Sequence, residues 1–80
     1  MVYKYNPDDF EGMPLLKEDM ENFYVAHTAY LKDRTTSNYN NLHRHMKYLW
    51  FSLKHRELEG FITRQAAEDM KDYFGGLLDD

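Results

Sequence analysis

The stretch SNYNNLHRHMKYLWFSLKHRELEG, residues 37–60, decides how the whole chain is read. Its apolar side chains Tyr39, Leu42, Met46, Leu49, Trp50 and Leu53 recur every three or four positions, the pattern of an amphipathic helix. Gly60 follows as the residue type that closes a helix in the left-handed conformation. Stepping about 100° per residue brings out a second stripe on the opposite face. It consists of Arg44, Tyr48, Phe51, His55 and Leu58, with Lys47 and Lys54 beside it. One neighbouring helix covers one face, so the second stripe requires either another helix or a partner.

Working outward, residues 16–31 place Leu16, Met20, Phe23, His27, Tyr30 and Leu31 on one helical stripe, with Pro14 well suited to open that helix. Between the two long helices, residues 33–38 contain cap-forming side chains and no apolar residue, so the chain turns there. A short connection of this kind makes an antiparallel hairpin. Beyond Gly60, Thr63 is a good N-cap for a third helix carrying Ala66, Ala67, Met70, Tyr73 and Phe74, which Gly75 and Gly76 are expected to end. At the other end, Asn6 and Pro7 start a short turn, and Tyr3, Tyr5 and Phe10 form an arm that covers an open edge of the core. The expected fold is all-α: an antiparallel hairpin of two long helices, a shorter third helix and an irregular N-terminal arm. It makes one small domain over residues 1–80, with the arm at 1–13 and the three-helix unit at 14–80.

Composition supports a folded but marginal domain. A chain of 80 residues buries a modest fraction of its unfolded surface. Leu, Ile, Val and Phe number 17, close to the level below which disorder is expected, but 13 aromatic residues supply the missing apolar area. Cysteine is absent, which excludes disulfide staples and cysteine-based zinc sites and suits a cytoplasmic protein. Residues 1–12 hold no apolar run of the kind a secretory leader needs, and no stretch is apolar enough for a membrane span.

Charge is distributed unevenly. Residues 1–33 carry net −4, residues 34–56 net +5 and residues 57–80 net −5, for a total of −4. Two explanations fit. In the first, the basic central helix gains charge complementarity from acidic neighbours inside the bundle. In the second, Arg44, Lys47, Tyr48, Phe51, Lys54, His55 and Leu58 form a face that meets another protein or a second copy of the chain. Aromatic residues and arginine are enriched at interface hot spots, and a spare helix face suits an isologous homodimer. The competing partner class is nucleic acid, held by the basic and aromatic residues of the central helix. Against it stand the negative net charge and the acidic flanks, which repel a polyanion. The same acids disfavour an anionic membrane surface.

No motif specifies a chemistry. His43 and His45 are two positions apart on a helix and point in different directions, so they cannot chelate one metal ion. His55 and Glu59 are one turn apart, an ordinary pair. His27 sits in an apolar stripe, where a satisfied core histidine is the simpler reading. Glu57 lies on the main apolar face, with Arg34 or His27 as expected partners across the hairpin. No nucleophile–base spacing or glycine-rich phosphate loop is present, so neither enzyme activity nor a cofactor is expected. The expected function is a small acidic, non-catalytic protein–protein interaction module, an adaptor, regulatory subunit or inhibitor, self-associating through its central helix.

Overall fold

Capping side chains, and a proline for the first long helix, mark where the helices begin. In the computed structural model, which describes residues 2–79, Asn6 accepts a hydrogen bond from the Asp8 amide and opens a short 310 turn, Pro7–Phe10. The expected domain limits at Met1 and Asp80 lie outside the described residues. Helix α1 spans Pro14–Lys32, with proline in the first turn, where a missing N–H costs nothing. Helix α2 spans Thr36–Leu58, and the Thr35 hydroxyl accepts from the Asn38 amide at 3.1 Å. Gly60 follows it with φ +83°, the left-handed conformation that β-carbons disfavour. Helix α3 spans Arg64–Leu77, and the Thr63 hydroxyl accepts from the Ala66 amide at 3.0 Å.

Helices α1 and α2 form the antiparallel hairpin, and α3 packs across α2. The molecule is 38 Å in its longest dimension, close to the length of α2 itself, since 23 residues rise about 34 Å. The core follows the two stripes, except that Tyr39 and Trp50 of α2 stay exposed at its borders. Leu16, Met20, Phe23 and His27 from α1 meet Leu42, Met46, Leu49 and Leu53 from α2, and Met70, Phe74 and Leu77 close the core from α3. Edge-to-face packing of Phe23 on Phe74, with centroids 5.6 Å apart, joins α1 directly to α3.

The arm ties the outer helices together. The Tyr3 ring stacks on Tyr24 with centroids 3.8 Å apart, and its hydroxyl is hydrogen-bonded to His27 Nδ1 at 2.9 Å. The Tyr24 hydroxyl donates to the Tyr5 carbonyl at 2.7 Å, and the Lys4 amide donates to the Tyr73 hydroxyl at 2.9 Å. Tyr5 packs its ring against Tyr73 and Phe74. Lys17 of α1 holds the 310 turn through Glu11 at 3.1 Å and Asp8 at 3.6 Å. Its ammonium pKa is raised, chiefly by the hydrogen bond to Glu11.

Two local expectations change. Gly75 and Gly76 do not end α3; the helix continues through them to Leu77, which is buried. Burial of Leu77 and Phe74 outweighs the intrinsic cost of glycine in a helix, about 1 kcal/mol each. Glu57 is also placed differently. It stands at the C-terminal end of α2 whereas Arg34 precedes its N-terminal end, about 30 Å away, so no ion pair joins them. Glu57 instead lines the cleft between α2 and α3 with Arg64 and Lys71, while Arg34 lies over the Tyr30 ring and His27 engages Tyr3.

Candidate functional site

The packing of α3 decides what α2 leaves open. Helix α3 lies against the Trp50 and Leu53 side, where Lys71 Nζ stands 4.8 Å from the Trp50 ring centroid and Ala67 faces the cleft. Helix α1 takes the Leu42, Met46 and Leu49 side, with the Ser52 hydroxyl donating to Asp19 across the hairpin. Neither helix covers the second stripe. Tyr48 retains 49% of its accessible surface, Phe51 66% and Leu58 70%.

Each residue of that stripe is on the surface. Arg44, Lys47, Lys54 and His55 are exposed along with the three apolar side chains. Tyr48, Phe51 and His55 come together in a shallow groove of about 340 Å³, completed by Leu15, Asp19, Ser52 and Arg56. A second groove, lined by Met13, Leu15, Arg56, Glu59 and Phe61, continues it past the start of α1. Lys54 turns to the other border of the face, where it also lines the α2–α3 cleft. Arg44, Lys47 and Leu58 line neither groove.

Leu15 and Phe61 belong to this apolar surface although the stripe on α2 does not include them. A signal for Leu15 was present: Leu15 and Leu16 are adjacent, about 100° apart on a helix, so one of them must leave the core stripe. Phe61 carried no such signal, because its direction depends on how the chain leaves Gly60.

The charge on the face is not neutralised at short range. Among the described residues, Arg44, Lys47 and Lys54 make no ion pair. The carboxylates nearest the groove are already engaged, Asp19 with Ser52 and Glu59 with Arg56 at 2.5 Å. In the α2–α3 cleft that Lys54 lines, Glu68 pairs with Arg64 within α3.

His43 lies beside Tyr39, with centroids 4.3 Å apart, whereas His45 turns toward Tyr48. Among the described residues no group of three His, Asp or Glu side chains could hold a metal ion, and no helix is long and apolar enough to cross a membrane. Burial pushes the Tyr24 phenol pKa well above 10.0. That hydroxyl donates to the Tyr5 carbonyl of the arm, and Tyr24 also lines a shallow groove with Val25, Thr28, Ala29 and Lys32. The groove at Phe51 offers the apolar side chains of Leu15, Tyr48 and Phe51 beside His55, Arg56 and the Ser52 hydroxyl, which donates to Asp19. Comparison with protein families, curated proteins and solved structures finds no match to this chain.

Proposed function

We propose that this chain is a small non-catalytic protein-binding module of the cytoplasm, acting as an adaptor, regulatory subunit or inhibitor. Its docking face is the outer side of α2. The observation that carries this reading is the exposure of Phe51 and Tyr48 beside cations that have no ion-pair partner among the described residues. Aromatic anchors ringed by positive charge are the residue types on which protein interfaces concentrate their binding energy. A helix face that contributes nothing to the core yet keeps Tyr, Phe and Leu exposed makes a stable contact only by burying them elsewhere.

The test is Phe51→Asp, read by thermal melting and by capture of a partner from an extract of expressing cells. The melting temperature is expected to stay close to that of the unsubstituted chain, while capture by the full chain is lost. An unfolded variant would assign the face to the core, and unchanged capture would remove the face from the interface.

A further inference from the structure

We infer that the occupant of the α2 face is an acidic amphipathic helix of another protein, and not a second copy of this chain. The inference rests on the proposed docking role of the face and adds the chemistry of what binds there.

Charge supplies the first argument. Arg44, Lys47 and Lys54 border the apolar anchors and have no ion-pair partner among the described residues. A segment bearing carboxylates around an apolar ridge completes both features at once. A two-fold contact through the same face does the opposite. Centred on Phe51 with α2 antiparallel to its mate, it sets Lys47 opposite His55 and Tyr48 opposite Lys54 of the other copy. Every such arrangement brings the same three cations in twice, and like charges brought together in a desolvated contact are costly. Docking the face onto the acids of α3 in a second copy, Glu68, Asp69 and Asp72, avoids the repulsion but leaves each copy with an open face. Contacts of that kind build rings or open chains and not a two-fold dimer.

The state of the core supplies the second argument. Leu16, Met20, Phe23, Leu49 and Phe74 are fully buried within one chain, so folding does not require a second copy to complete the interior. What remains open is a surface strip and not half of a core.

Geometry supplies the third. From Tyr48 to Leu58 the exposed stripe rises about 15 Å, three turns of helix. Leu15 and Phe61 wall the adjoining grooves. A guest helix presenting apolar residues at i, i+3 or i+4, i+7 and i+10 or i+11 matches that length, the mode by which amphipathic helices fill grooves.

The experiment is a selection from a displayed library of random peptides of about fourteen residues, four helical turns. The bait is the full chain, with Phe51→Asp as the counter-selected bait. The enriched peptides are expected to carry a net excess of Asp and Glu with apolar residues at helical spacing. Their binding should weaken about tenfold or more when salt rises from about 0.05 M to about 0.5 M. The double variant Lys47→Glu, Lys54→Glu should weaken it by at least as much. Peptides that are neutral or basic, or binding insensitive to salt and to the double variant, would overturn the acidic chemistry while leaving the face a docking site. If no peptide distinguishes the chain from Phe51→Asp, the docking role itself fails. Light scattering of the same samples provides the other decision: a dimer that Phe51→Asp dissolves would make the second copy the occupant and overturn the inference. A single-stranded oligonucleotide that binds with a dependence on Phe51 would overturn it in favour of nucleic acid.

Discussion

Trp50 and Phe51 are neighbours in sequence but meet different surroundings. Trp50 lies under Lys71 against α3 and keeps 37% of its surface, whereas Phe51 points to solvent and keeps 66%. The about 100° between successive helical positions carries one ring to the boundary with α3 and the other onto the uncovered face. Trp50→Ala is therefore expected to lower unfolding free energy by about 1–3 kcal/mol, less than for a fully buried ring. Phe51→Ala should change it by no more than about 0.5 kcal/mol. Urea unfolding of both variants decides, and the reverse order would contradict the position of α3.

Leu49 is fully buried where α1 and α2 meet. Leu49→Ala removes its methyl groups and leaves a cavity, at a cost of about 2–5 kcal/mol. A small domain holds only about 5–15 kcal/mol in total, so its melting temperature should fall sharply. A shift within experimental error would mean that the two stripes do not face each other.

The raised phenol pKa of Tyr24 makes the fold sensitive to alkali. Burial disfavours the phenolate in the folded chain, while the unfolded chain ionises near 10.0. Below that pH both states hold the proton and the contribution is fully present. As pH rises past 10.0 the unfolded state loses the proton first, so stability falls with rising pH. Tyr24→Phe should cost about 1 kcal/mol at neutral pH, through loss of the hydrogen bond to the Tyr5 carbonyl. Its stability should then decline less steeply between about pH 10 and pH 11 than that of the unsubstituted chain. Parallel slopes in denaturant titrations at those pH values would refute the assignment.

Two glycines should respond in opposite ways to alanine. A β-carbon at Gly60 or at Gly76 meets no atom within 4 Å, so neither substitution is blocked by packing. Gly60 has φ +83°, and Gly60→Ala should destabilise by about 1 kcal/mol through backbone strain alone. Gly76 is helical, and Gly76→Ala should stabilise by about 0.5–1 kcal/mol. Thermal melts of the two variants, shifted in the same direction, would contradict the end assigned to α3.

Much of the fold was legible because its signals are local. Asn6, Pro7, Pro14, Thr63 and Gly60 punctuate the chain through the geometry and hydrogen bonding of single residues, and each acts in the structure as its type dictates. The buried stripes of α1 and α2 were legible for the same reason, since a helix repeats its faces at a fixed interval. The end of α3 was not. Glycine propensity argues for a stop at Gly75, but Leu77 gains a place in the core only if the helix continues, and that gain exists only once α1 and α2 have assembled.

The candidate site divides along the same line. The sequence by itself determined that α2 carries two opposed stripes and that its second stripe combines aromatic rings with cations, because both follow from residue order and helical pitch. Only the tertiary structure decided which side α3 covers, and so that Tyr48, Phe51 and Leu58 stay exposed. It likewise brought Leu15 and Phe61 to the same surface and left Arg44, Lys47 and Lys54 without an ion pair among the described residues. Those outcomes depend on the path of the chain around Gly60 and on packing between segments far apart in sequence, where no local preference acts.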